Sequence, residues 1–223
     1  MFKTPDIFSI VDHYISDLYV AEDDALVGAV SAARRSGLPS IEVSPGQGKF
    51  LYLLAKIAGV RRILEIGTLG GYSTIWLARA LAEDGELVTL EADPAAAAAA
   101  SNAFARAGLE QTVRLVIGDA TQTLPGLIAE AEDPFDLVFL DADKVNYPRY
   151  FELFMQRVSS GSLIVADNVI RAGTVLAPRP DDPSASAART FNALVAADDR
   201  LEAIILQQVG MKGHDGLTIA RVR

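Results

Sequence analysis

Ile63-Leu-Glu-Ile-Gly-Thr-Leu-Gly-Gly-Tyr-Ser73 reads as an apolar strand, a glycine-rich turn and the start of a helix. Glycines at 67, 70 and 71 let a ligand approach the backbone at the carboxyl edge of a parallel sheet. The spacing is not G-x-G-x-x-G: leucine stands at 69, and the turn has no basic residue to meet a pyrophosphate. Glu65 places a carboxylate inside the strand, which is costly unless partnered. An ammonium group, such as that of an amino acid moiety, would satisfy it directly or through water.

Downstream of this stretch, short β-rich runs alternate with helical ones. The pattern predicts strands at Arg62–Ile66, Leu87–Glu91, Val113–Ile117, Asp136–Asp141, Ser162–Asp167, Leu201–Gln207 and Leu217–Arg221. The helices between them are Ser73–Ala82, Pro94–Ala107, Ala120–Glu130, Tyr147–Val158 and Ser184–Ala197. Such alternation means right-handed crossovers and an α/β, doubly wound, mostly parallel sheet of seven strands with helices on both faces. The last two strands have no helix between them, so a connection at Gly210–Gly216 makes them an antiparallel hairpin. Ala95–Ala100 reads as a small-residue helix packed closely on the sheet. Upstream, the first 36 residues read as amphipathic helix, with Ile7, Ile10, Val11, Tyr14, Ile15 and Leu18 at helical spacing. Ser36–Gly48 is a polar connection, and Phe50–Ile57 a buried helix. We expect one domain over residues 1–223, with the helices before about residue 58 serving as cap or interface. Arg171–Arg189 reads as a long loop beyond a strand's carboxyl end, either a substrate lid or a plain connection.

Composition narrows the function. Half of the 223 residues are apolar and 22% are charged, which suits a globular core. With no cysteine, disulfides, thiolate nucleophiles and cysteine-ligated zinc are excluded. Two histidines, His13 and His214, cannot build a multi-histidine metal site. We read His214 as a surface turn residue and His13 as lying on a packed or interface helix. A net charge of −9 disfavours a nucleic-acid partner. The apolar runs are too short to span a membrane, and Met1–Asp6 does not read as a signal peptide, so a cytoplasmic location is the default expectation.

Four further strand ends carry polar groups at the same sheet edge. Glu91 closes the second strand about 20 residues after the glycine turn, where a carboxylate accepts two hydrogen bonds from a ribose diol. It could instead cap the helix near Pro94, although Asp93 is the better cap. Gly118-Asp119-Ala120 forms another turn there, suited to contact with an adenine. Asp141 ends the fourth strand, and Asp167 with Asn168 ends the fifth. Adjacent strands lie about 4.8 Å apart, so two carboxylates and an amide converge. These hard ligands suit Mg²⁺, or alternatively Mn²⁺ or Ca²⁺; taken singly, each could merely cap a helix or shape a turn. Lys144, three residues after Asp141, is either a base whose pKa a neighbouring cation lowers or an exposed lysine paired with Asp143.

Read together, E-I-G-T-x-x-G-Y-S at 65–73, E-x-D at 91–93, G-D-A at 118–120, D-A-D-K-x-N-Y at 141–147 and D-N at 167–168 resemble the cation-dependent O-methyltransferases, the family of catechol and caffeoyl-CoA O-methyltransferases. The likeness runs from about Val43 to the C-terminus and is greatest to short bacterial members. It implies the methyltransferase variant of the doubly wound fold, with S-adenosylmethionine lined by Val43, Glu65, Gly67, Thr68, Ser73, Glu91, Ala120 and Asp141. Tyr72 would pack beside it, and Gly71 and Asp119 belong to the same turns. It further implies a metal on Asp141, Asp167 and Asn168, Lys144 as base, a vicinal dihydroxy aromatic acceptor and a homodimer. The animal catechol enzyme carries an aromatic residue where Asp143 stands, and its late substrate-contacting glutamate has no clear counterpart here, so the acceptor stays open. The rivals are an NAD-dependent oxidoreductase, which predicts G-x-G-x-x-G and no metal group, and a non-catalytic cofactor-binding module.

Overall fold

The computed structural model of the chain describes the backbone of residues 4–223 and the side chains from residue 7 onward. The helical reading of residues 1–3, and the side chains of Met1–Asp6, lie outside the described residues. Three helices come first: α1 (Thr4–Tyr19), α2 (Asp24–Arg35) and α3 (Pro45–Ala58). The alternating part follows as β1 (Arg62–Ile66), α4 (Tyr72–Ala78), β2 (Glu86–Glu91), α5 (Pro94–Ala107), β3 (Val113–Ile117), α6 (Ala120–Glu130), β4 (Phe135–Leu140), α7 (Tyr147–Phe154), β5 (Val158–Ala166) and α8 (Pro183–Ala197). It closes with β6 (Leu201–Gly210) and β7 (Gly213–Val222).

The seven strands form one sheet in the order β3-β2-β1-β4-β5-β7-β6. β1 to β5 pair in parallel, whereas β7 runs antiparallel to both β5 and β6. The central strands are buried on both faces, as all-parallel strands covered by helices must be: Ile63, Leu64, Ile66, Leu137, Val138, Phe139 and Leu140 have no exposed surface. One core, built on Leu124, Tyr147, Tyr150, Phe154 and Phe191, joins α6, α7 and α8 to the sheet. The other, built on Leu51, Ile75, Trp76 and Phe104, joins α3, α4 and α5 to the opposite face. Capping follows the sequence. Ser44, Asp93 and Asp119 accept backbone N–H bonds at the starts of α3, α5 and α6, where they satisfy otherwise orphaned donors.

Several boundaries differ from expectation. α7 stops at Phe154 rather than Val158, and β5 starts at Val158 rather than Ser162. Its first residues, Val158-Ser-Ser-Gly161, are half-buried to exposed and polar, so no apolar run announces them. Gly210–Gly216 is not a loop. Pairing continues to Gly210 and Gly213, leaving only Met211 and Lys212 in the turn; the polar residues there sit on the solvated end of a ladder that needs no apolar alternation. Arg171–Arg189 is not one long loop either. Arg171–Leu176 is a short turn segment kinked at Ala172 and Gly173, and α8 begins at Pro183, where the Asp182 side chain accepts the Ala185 N–H. On α1, Ile10, Tyr14 and Leu18 are exposed, and the helix lies against α3 and β6.

Candidate active site

The carboxyl ends of β1 to β5 open into a cavity of 680 Å³. Its shape begins with Glu91. One carboxylate oxygen accepts the backbone N–H of Leu69 at 2.7 Å and of Thr68 at 3.2 Å, and the other accepts the N–H of Asp93 at 2.9 Å. The end of β2 therefore clamps the glycine-rich turn that follows β1. That clamp supports left-handed backbone at Leu69 (φ 49°) and Gly71 (φ 83°), conformations costly for a residue with a side chain. At Gly67 (φ 103°) a Cβ would run into the Asp141 carbonyl. This glycine is what lets the β1 and β4 ends lie against each other.

Glu65 departs from expectation. Its side chain has no exposed surface and does not line the cavity. Its carboxyl accepts hydroxyls from Ser73 at 2.6 Å, from Thr89 at 2.7 Å and from Thr74. The chain's own hydroxyls thus supply the partners that a ligand's ammonium was expected to give, and Glu65 can reach the cavity only through Ser73, which lines it. Burial pushes the Glu65 carboxyl up to about 7, against the pull of those three hydroxyls.

The second group lies where β4 and β5 end. The Asp141 N–H binds the Ile66 carbonyl and the Asp167 N–H binds the Leu140 carbonyl, each at 2.9 Å, so backbone ladders carry both carboxylates to one edge. Lys144 is buried and does not pair with Asp143. Its ammonium donates to Asp141 Oδ1 at 2.9 Å, to the Ala142 carbonyl at 3.0 Å and to the Tyr147 hydroxyl at 2.7 Å. Asp143 instead accepts from Tyr150 and Asn146. The Tyr147 hydroxyl lies 3.0 Å from the carbonyls of both Leu140 and Asp167. Burial raises its pKa far above the ordinary phenol value, so it stays a donor to those carbonyls and accepts from Lys144.

Asp167 is buried and accepts the Gln47 side-chain amide at 2.7 Å and the Asn168 N–H at 2.7 Å. Burial, and then the nearby Asp141 charge, push its carboxyl well above the usual range. Two carboxylates thus face one lysine, a shortage of positive charge that a divalent cation would remedy. Among the described residues no three His, Asp or Glu side chains are placed to hold a metal ion. Any such site here needs the Asn168 amide beside Asp141 and Asp167. Those three supply hard oxygens and leave coordination positions open, which fits Mg²⁺.

Of the expected residues, Val43, Gly67, Thr68, Tyr72, Ser73, Glu91, Asp119, Ala120, Asp141, Lys144 and Asn168 line the cavity. Gly71, Glu65 and Asp167 stand behind its wall. Tyr72 is anchored by donating to Glu22 at 2.7 Å, and Asp119 caps Thr121 at 2.8 Å. Sequence reading gave no role to Gln47, Thr74, Thr89 or Tyr147. Tyr147 had a legible signal, standing three residues after Lys144 at the start of a helix. The Gln47–Asp167 bond joins residues 120 apart and had none. His214 is exposed in the hairpin, 3.0 Å from Gln207, and His13 is exposed on α1.

Comparison with known proteins places these features. The model of the O-methyltransferase family matches residues 18–223. A catechol O-methyltransferase of Niastella koreensis is 50% identical over 217 residues, covering 97% of this chain and 98% of that one. A catechol O-methyltransferase of Mycobacterium tuberculosis is 46% identical over 213 residues, 96% of this chain and 95% of its own. The crystal structure of the Bacillus cereus O-methyltransferase in complex with SAH superposes with a TM-score of 0.96 at 44% identity, covering 99% of this chain and 100% of that one. The chain belongs to the O-methyltransferase family.

Proposed function

We propose that the chain, as one domain capped by α1–α3, is an S-adenosylmethionine- and divalent-metal-dependent O-methyltransferase acting on vicinal dihydroxy aromatic acceptors. The observation that carries this reading is the adjacency of two groups on one sheet edge: the Glu91-clamped turn, and Asp141, Asp167 and Asn168 with Lys144 bonded to Asp141. The SAH complex of the Bacillus cereus relative and the catechol O-methyltransferase names of two others support it.

In this reading Glu91 accepts the ribose hydroxyls while keeping its backbone bonds to Thr68 and Leu69. Ser73 and Thr68 line the methionine end, and Asp119 and Ala120 the adenine end. Asp141, Asp167 and Asn168 would hold the metal, which would favour the ionised form of a neighbouring acceptor hydroxyl and help to position a diol. The acceptor oxygen forms a bond to the methyl carbon as the carbon–sulfur bond breaks, leaving the thioether S-adenosylhomocysteine. Lys144 is the group that takes the hydroxyl proton. As the ammonium it donates to Asp141, Ala142 and Tyr147, which fix its Nζ once the proton has moved. Mg²⁺ is the preferred ion, with Mn²⁺ or Ca²⁺ as substitutes, and a homodimer through the N-terminal helices is the expected assembly.

The test is mass-detected methyl transfer from S-adenosylmethionine to catechol and to phenol. Monomethylated catechol with little methylated phenol is the expected outcome, because only a diol can chelate. Equal rates would contradict chelation.

A further inference from the structure

The cavity wall holds a charge that the proposed function does not use. Its lining includes two cationic side chains, Lys144 and Arg171, and five carboxylates, Glu42, Glu91, Asp119, Asp141 and Asp143. Every one of those carboxylates has a partner. Glu42 pairs with Arg34 and Lys212, Asp141 with Lys144, and Asp143 with Tyr150 and Asn146. Glu91 and Asp119 are occupied by backbone N–H groups. Arg171 alone has no acceptor among the described residues, and its Nε is buried without a hydrogen bond.

The position of Arg171 is over-determined. Its own N–H and that of Ile170 both donate to Asp215 Oδ1, at 2.8 and 2.9 Å. Two residues before Arg171, Val169 is tied to Gly216 and Asn192. These bonds hold Arg171 in left-handed backbone (φ 55°), a conformation that persists only where the surroundings enforce it. Arg171 stands three residues beyond Asn168, which also lines the cavity.

We propose that Arg171 is a specificity residue that binds a carboxylate on the aromatic acceptor, so that the preferred substrates are dihydroxybenzoates and their side-chain homologues. A guanidinium presents a planar fork that matches a carboxylate in two parallel hydrogen bonds, and no carboxylate of the cavity wall takes up that of Arg171. This inference rests on the proposed function for the location of the acceptor.

Calorimetric titration of the protein loaded with S-adenosylhomocysteine and Mg²⁺ tests it apart from turnover. The probes are 3,4-dihydroxybenzoate and its methyl ester, which differ by the charge and one methyl group. The wild type should bind the acid roughly ten- to a hundredfold tighter than the ester, as a charge-assisted pair allows. Arg171→Gln should remove most of that ratio, and Arg171→Lys should keep part of it. A wild type that binds acid and ester equally, or an Arg171→Gln protein with normal melting temperature and the full wild-type ratio, overturns the inference. Failure of either probe to be methylated by wild type would instead count against the proposed function, because the binding ratio is read without chemistry.

Discussion

Gln47 reaches from the first turn of α3 to donate its amide to Asp167 Oδ2 at 2.7 Å, so an N-terminal helix steadies a buried carboxylate at the end of β5. The bond favours the charged form of Asp167 against burial and against Asp141. Groups that orient a metal's ligands typically govern affinity by ten- to a hundredfold. Gln47→Ala should therefore raise the Mg²⁺ concentration for half-maximal activity by roughly tenfold, and leave affinity for S-adenosylhomocysteine little changed. Metal-dependent rate curves and calorimetry check the two halves; an unaltered Mg²⁺ requirement would make Gln47 a packing residue only.

Glu65 makes a pH-dependent prediction. Its carboxyl, ordinarily near 4.5, is pushed up to about 7 in the fold by burial. The unfolded chain therefore ionises first as pH rises, and the stability of the neutral, buried form is lost progressively between pH 4.5 and 7. Glu65→Gln lacks this loss. The melting temperature of the variant minus that of the wild type should grow more positive from pH 5 to pH 8. Parallel melting curves across that range would mean that Glu65 is already charged in the fold.

Glu91 joins shape and binding in one side chain. Removing it frees the Thr68 and Leu69 N–H groups and deletes the acceptor expected for the ribose. A hydrogen bond to a charged group contributes roughly 1.5–3 kcal/mol. Glu91→Ala should weaken S-adenosylhomocysteine binding by at least about tenfold, and Glu91→Gln should recover part of it. Calorimetry showing unchanged affinity would reduce Glu91 to a residue that shapes the turn.

How much of this was legible follows from which forces act locally. Arg62–Ile66 and Val113–Ile117 were readable to the residue because each is a short β-rich run closed by a glycine, Gly67 or Gly118. The start of β5 and the β6–β7 turn were not, because an exposed ladder is held by backbone bonds that place little demand on side chains. At the site, the acids at strand ends were legible, since topology alone brings Asp141 and Asp167 together. The partners of Glu65 were not: Thr74 and Thr89 reach it from α4 and from β2, and only tertiary packing selects them. The same holds for Gln47 and for the unpaired Nε of Arg171, whose significance appears only once every neighbouring acid is seen to be occupied.

The central claim is that methyl transfer depends on a cation held by Asp141, Asp167 and Asn168. The most direct measurement is the rate of catechol methylation by chelator-treated protein, with metal content checked by elemental analysis, before and after Mg²⁺ is added. The account predicts a negligible rate without metal and recovery with it. Asp167→Ala should recover less than Asn168→Ala, because it loses charge as well as a ligand, while both keep their affinity for S-adenosylhomocysteine. Full-rate methylation by verified metal-free protein would contradict the claim, and would leave Asp141, Asp167 and Asn168 as residues that shape the turns at the ends of β4 and β5.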